Sequence, residues 1–413
     1  MLVNSLPRKS RLSATVLFLL TLSQAWATHS HVLSDWEEQY KQLGQRMGNH
    51  TPAPIEQVYD RNALTWKTDK TPLNVQIRRT EALMESLAKL PGVAGLNEQS
   101  TALHKIKRSS SGLSRRQQKA AYMELRKITR AAALANPLLG FDDILFVARG
   151  VRNDAASRKS EYDGDHFCDQ YYGHNGRPEG NLYILKNFKS DAPELVEVVK
   201  GLTVPSGTNQ GMRMSEGAFI SPDLSWDGKT VVFGWSAGRY DKWKAQNRYS
   251  IFKCNVDGTA LMRLTDGDYD DFDPCFLPGG RIVFMSTRRG GYGRCHGRPV
   301  PTFTLHSINP DGSDLICIDF HETNEFHPSV DNNGMLVYTR WDYLDRDHSA
   351  AHHMWTSFPD GRDPRSYHAN YALPWSTLEK ADWPNGLHLR PWAEFNCRAI
   401  PNSQQFIATA RPH

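Results

Sequence analysis

The sequence predicts a mainly β fold, a β-propeller preceded by an α-helical N-terminal segment. The first observation is a triple repeat: SPDLSWDGKTVVF from Ser221, DPCFLPGGRIVF from Asp273 and HPSVDNNGMLVY from His327. In each copy a proline lies six residues before a turn glycine (Pro222 and Gly228, Pro274 and Gly280, Pro328 and Gly334), and a β-branched apolar run follows. The second is the spacing of those glycines, 52 and 54 residues. A period near 50 built of strands and turns is that of propeller blades, which must stack on one another to bury both faces of each sheet. The third is an Asp-Gly pair late in each copy (Asp257-Gly258, Asp311-Gly312, Asp360-Gly361), a signal for tight hairpins.

Taken in order, residues 1–27 read as a signal peptide. Arg8, Lys9 and Arg11 precede the apolar run Leu12–Leu22, and Ala25-Trp26-Ala27 has the small-residue pattern of a cleavage site. The run is short for a membrane span, which needs about 20 apolar residues. The expectation is export to a periplasmic or extracellular location, with no membrane span after signal removal. Residues 28–140 form a helical region. SDWEEQYKQLGQRM, capped by Ser34 or Asp35, and TEALMESLAKL are amphipathic, and in Ser114–Leu134 the residues Tyr122, Leu125, Ile128 and Ala132 share one helical face. The basic, serine-rich Lys107–Arg116 segment reads as a solvated linker. Residues 141–413 form the propeller, with blades at about 141–205, 218–266, 272–320, 326–370 and 394–413. Ile144–Ala148 and Asn181–Lys186 are the strands of an irregular first blade. The last blade stops after its second strand, so about four and a half blades of six or more are expected here, with the ring completed by sequence beyond residue 413.

Strand parity places the chemistry. In an antiparallel meander the short turns PGG and PDGS fall at one end of the blade and the long connections at the other. The long connections carry His166, Cys168, Asp169, Arg288, Arg289, Cys295, Glu325, His327, Arg340, Asp345, His348, His352 and His353. Loops on a rigid scaffold are where binding usually sits. His166, Asp169, Arg288, Arg289, Glu325, His327 and Arg340 are candidate ligand-binding residues. The arginines suit forked recognition of a carboxylate, and they equally suit pairing with the rim aspartates. Asp345, His348, His352 and His353 could hold zinc or another divalent ion, because one helical turn would bring His348 and His352 to the same side. The alternative is a loop held by Asp–His pairs. Cys168, beside His166, reads as a disulfide with Cys295 on the same rim or an inert thiol, the alternative being a nucleophile or a soft metal ligand. The acidic loop Asp268–Asp273 lacks the EF-hand pattern and reads as structural.

Several classes are disfavoured. A formal net charge of +4 on 413 residues gives no argument for nucleic acid. There is no CxxCH for covalent c-type haem, no GxSxG, no Walker A and no dinucleotide fingerprint. The six cysteines allow 15 full pairings.

The segments HFCDQYYGHNG, DFDPCFLPGGRIVFMSTRRGGYGRC, NEFHPSV and TRWDYLDRDHSAAHHMW carry a resemblance. They resemble TolB-type, WD40-like propeller repeats of exported bacterial proteins and, over about residues 125–413, large exported proteins related to the hydrazine synthase alpha subunit. That resemblance implies a propeller, export and a rim site. Hydrazine synthesis does not carry over, because the haem attachment motif is missing. Two functions are thus expected: an exported binding or assembly module for an unknown ligand or protein partner, or a metal-dependent enzyme or redox-complex subunit with its site in the rim loops.

Overall fold

The computed structural model describes residues 33–47, 65–93, 96–150, 171–238, 245–291, 301–342, 352–367 and 393–411. The described residues fall into two compact units, within 1–144 plus 185–194 and within 145–184 plus 195–413.

The first unit is helical: α1 (33–46), α2 (Pro72–Leu87), α3 (Asn97–Arg108) and α4 (Arg115–Leu134). Local chemistry sets the starts. Thr71 caps α2 in a reciprocal pair with Asn74, ahead of Pro72, whose missing N–H costs nothing in the first turn. Ser114 and Gln117 do the same for α4. Tyr122, Leu125, Ile128 and Ala132 are the buried face of α4, as their spacing predicts, and they meet Leu73, Val75, Ile77 and Leu103 in one core. Two boundaries differ from expectation. Ser34 and Asp35 lie inside the first helix rather than before it, and α2 begins eight residues ahead of Thr80, where the Thr71 cap overrides the weaker apolar signal.

The second unit is β. A three-stranded sheet has order β1 (Ile144–Ala148), β2 (Asn181–Lys186), β3 (Glu194–Glu197). Two four-stranded antiparallel meanders follow: β4 (Ala218–Leu224) to β7 (Met262–Arg263), then β8 (Asp271–Phe276), β9 (Ile282–Ser286), β10 (Thr304–Ile308) and β11 (Ile316–Cys317). In between, β5 is Thr230–Ser236 and β6 is Ser250–Asn255. The next sheet runs β12 (Glu325–Val330), β13 (Leu336–Trp341), β14 (His352–Ser357) and β15 (Arg365–Ser366). A single parallel pair, His352 with Ala393, carries its ladder on to β16 (Ala393–Ala399) and β17 (Phe406–Arg411).

What makes this a propeller is how the sheets meet. The first strands of consecutive sheets pack side by side, β4 on β8, β8 on β12 and β12 on β16. That is the arrangement of blades around an axis, each contributing its first strand to the centre. Both faces of the middle blades are buried, and β8, β9, β10 and β13 have no exposed residue. Phe272, Phe303, Phe326, Met285 and Tyr338 form a core shared between blades.

The short turns, the Asp360-Gly361 tip and the Pro278-Gly279-Gly280 turn among them, need glycine for two separable reasons. Gly361 has φ +83°, and a Cβ there would lie 1.9 Å from the carbonyl oxygen of Ile318 on the preceding blade. Gly280 has φ +88° with open space around it. Gly361→Ala is therefore expected to cost about 3 kcal/mol, the left-handed penalty plus a clash, whereas Gly280→Ala costs only about 1 kcal/mol. Urea midpoints of the two variants check this; equal losses would refute the close-approach argument. Among the described residues no helix is long and apolar enough to cross a membrane.

Candidate functional site

Register puts the first residue of each first strand opposite the last residues of the second, at the end of the blade that carries the long connections. Glu325 pairs with Arg340 and Asp271 with Ser286. A collar of buried ion pairs results. Arg340 reaches Glu325 Oε1 at 2.8 Å, also bonds Asp319, and lies 4.4 Å over the Trp355 ring. Arg288 donates to Asp271 Oδ2 at 2.8 Å, and the other carboxylate oxygen accepts from Ser286 Oγ at 2.5 Å. Arg248 donates to Asp270 Oδ2 at 2.8 Å, whose Oδ1 accepts the backbone N–H groups of Gly173 and Tyr249 at 2.7 and 3.0 Å.

Burial and charge set the titration of this collar. Desolvation, reinforced by the neighbouring Asp319 charge and opposed by Arg340, raises Glu325 to about 7. Desolvation raises Asp270 to about 6 against the pull of Arg248. Burial lowers the His321 imidazole, but Asp342 at 3.1 Å outweighs it, and the net direction is upward. Burial pushes the free thiol of Cys254 to about 12 and that of Cys397 to about 11, so neither is a nucleophile near neutral pH.

The structure treats the sequence-predicted residues unequally. Glu325, Arg340 and Arg288 are brought together with acids and satisfy one another, the second of the two readings their spacing allowed. Arg289 is exposed and donates to the His321 carbonyl at 2.6 Å. His352 and His353 are consecutive residues of β14, so they face opposite sides of the sheet. His352 stacks on Trp341 with centroids 5.1 Å apart, and His353 Nδ1 lies 3.5 Å from Glu394. His352 opens a strand rather than closing a helical turn. Asp345, His348, His166, Cys168, Asp169 and Cys295 lie outside the described residues. Among the described residues no group of three His, Cys, Asp or Glu side chains is placed to hold a metal ion.

His327 is different. It is the third residue of β12, at a bulge where the register shifts, and its φ is +52°. The same bulge recurs in each first strand: Ser221 (φ +45°), Asp273 (φ +49°) and Asn396 (φ +53°). Left-handed backbone at a non-glycine residue costs on the order of 1–3 kcal/mol. Since the first strands pack side by side, three of these side chains meet. Ser221 Oγ donates to Asp273 Oδ1, Asp273 Oδ2 lies 3.8 Å from His327 Nε2, and Tyr171 Oη is 2.5 Å from the same nitrogen. Aromatic rings enclose the cluster. Tyr171 stacks on Phe272 at 5.0 Å, and Phe395 stands edge-on to His327 at 5.9 Å. Burial lowers the His327 imidazole despite Asp273, which keeps it neutral at pH 7. Among the described residues Asp273 Oδ2 and His327 Nδ1 are buried without a hydrogen-bond partner.

Sequence reasoning named His327, placed Asp273 in a structural acidic loop, and missed Ser221 and Tyr171. A signal was present: the residue before the repeated proline is polar in every copy.

No family model matches the chain. An uncharacterized protein of Agrobacterium fabrum is 26% identical over 116 residues, 28% of this chain and 36% of its own length. The hydrazine synthase of Kuenenia stuttgartiensis aligns with 55% of this chain and 32% of its own at 16% identity and a TM-score of 0.41. TolB of Acinetobacter baumannii aligns with 61% and 49% at 12% identity and a TM-score of 0.34. The chain thus spans about a third of the length of the first two. Both TM-scores lie below 0.5, and the propeller assignment rests on the strand order and packing of this chain itself.

Proposed function

We propose that this chain is the propeller portion of an exported binding or assembly module, which takes its ligand or protein partner at the long-connection end of the blades and in the axial cluster. The supporting observation is the pair of buried polar atoms, Asp273 Oδ2 and His327 Nδ1, that no group among the described residues satisfies. Such atoms cost on the order of 1–3 kcal/mol each, and a ligand that bonds them recovers it. The collar acids Asp271 and Glu325, two residues before Asp273 and His327, are paired with arginines, which leaves the two unsatisfied atoms to a ligand. Export follows from residues 1–27, which lie outside the described residues.

The test is ligand-observed NMR with a small-molecule set grouped by charge, on wild type and on Asp273→Asn combined with His327→Asn. Asparagine tolerates left-handed backbone, so both bulges keep their conformation. At least one charge class is expected to bind wild type and to be lost in the variant. A wild type that binds none, or a variant that binds all equally, refutes the assignment. The alternative, a metal-dependent enzyme or redox-complex subunit, requires Asp345, His348, His352 and His353 to share an ion. Stoichiometric zinc, copper or iron that is lost on His348→Ala with His352→Ala would support it; metal-free protein counts against it.

A further inference from the structure

We infer that the axial cluster of Ser221, Asp273, His327 and Tyr171 is a binding site for a primary ammonium group. This deepens the binding-module reading and rests on it. The argument starts from charge. The buried carboxylates of the collar each have an arginine: Asp270 has Arg248, Asp271 has Arg288, and Glu325 and Asp319 share Arg340. Asp273, 4% exposed, has instead an imidazole nitrogen at 3.8 Å, too long for a hydrogen bond. A buried carboxylate is stable when it is paired and hydrogen-bonded. Among the described residues no lysine or arginine pairs with Asp273, and the Arg398 charge is felt at His327 without a bond to Asp273 Oδ2. A cationic ligand at Oδ2 would complete the pairing.

Geometry narrows the class. Ser221 takes one lone pair of Asp273 Oδ1, so Oδ2 is the carboxylate oxygen left without a partner and a one-point donor is favoured over the two-oxygen fork that a guanidinium prefers. An ammonium carries three N–H donors with no planar requirement. One reaches Asp273 Oδ2. A second reaches His327 Nδ1 when that ring carries its proton on Nε2, the nitrogen beside Tyr171 Oη. The rings of Tyr171, Phe326 and Phe395 flank the imidazole, so an ammonium bound there would lie among aromatic rings. An anion is disfavoured by Asp273 itself; the Asp223 carboxylate accepts from the Phe276 N–H, and Arg398 is felt at both Asp223 and His327. The source is either a free small amine or the N-terminal or lysyl amine of a peptide.

Isothermal titration at pH 7 with n-butylammonium chloride, sodium butyrate and N-butylacetamide tests this on the full chain. Wild type is expected to bind n-butylammonium at least ten-fold more tightly than Asp273→Asn, and to bind neither other probe. Ser221→Ala, which frees Oδ1, is expected to raise affinity for n-butylguanidinium relative to n-butylammonium, an independent check should the Asp273 variant fold poorly. Equal n-butylammonium affinity in wild type and Asp273→Asn, or an unchanged guanidinium preference in Ser221→Ala, overturns the proposal. Butyrate or the amide binding wild type and being lost in the double variant overturns the ammonium class but leaves the binding module standing; no probe binding at all sinks both. Tighter binding of triglycine that is lost on N-acetylation assigns the source to a peptide, and the reverse assigns it to a free amine.

Discussion

Arg340→Met is expected to destabilise the propeller by about 3–5 kcal/mol, the cost of leaving buried carboxylates without their counter-charge. Among the described residues Arg340 is the one cation bonded to both Glu325 and Asp319, and all three are buried. Methionine fills the volume, so the loss isolates charge rather than packing. Adding Glu325→Gln and Asp319→Asn to Arg340→Met should recover most of the deficit, because a neutral collar has no charge to solvate. Arg340→Lys should recover little, since an ammonium cannot fork across two carboxylates or lie flat over Trp355. Urea midpoints at pH 7 measure each step. A deficit under about 1 kcal/mol for Arg340→Met would mean that the collar is solvated and that the burial argument fails.

The second large effect is on pH. Glu325 is raised from its ordinary 4.5 to about 7 and Asp270 from 3.8 to about 6, in both cases chiefly by burial. A carboxyl with a raised folded-state value holds its proton longer in the native state than in the unfolded chain. Its contribution is fully present below the unfolded value and is lost as pH rises through the folded one. Stability from these two groups should therefore fall between about pH 4 and 7, with a slope of up to about 1.4 kcal/mol per pH unit for each group that differs in protonation. His321, also raised, adds to the fall at its upper end, while the lowered His327 runs the other way on the acid side of its ordinary value. Comparing wild type with Glu325→Gln removes the shared terms. The stability difference between them is expected to change with pH only between about 4.5 and 7, and a difference that stays flat across that window would refute the shifted Glu325.

These two expectations concern residues that the sequence singled out for another reason. Strand parity placed Glu325, Arg288 and Arg340 at the end of the blades that carries the long connections, and the register agrees. Whether they would face a ligand or one another depended on which acid came opposite which arginine across two strands and a neighbouring blade, and spacing along the chain does not carry that. His352 and His353 illustrate a smaller gap: an i, i+4 pattern was read as a helical turn, while β13 drew His352 into a strand through its pairing with Trp341. The axial cluster was the least legible. A bulge breaks the two-residue alternation of a strand, so a residue expected to point to one face points to another. Ser221, Asp273 and His327 were visible as a repeated polar position before proline, yet their meeting needs three blades side by side.

The amino-acid sequence alone determined the helical segment, the blade period, the glycine-dependent tips and the end of each blade at which the chemistry lies. These follow from turn geometry, capping and hydrophobic periodicity, all of which act over a few residues. Only the tertiary structure decided that Arg288 and Arg340 pair with buried acids while Arg289 bonds a carbonyl, and that among the described residues Asp273 Oδ2 and His327 Nδ1 have no hydrogen-bond partner. Pairing of that kind is settled by which side chains share a desolvated space, and residues 52 to 156 positions apart enter that space only when the blades have packed.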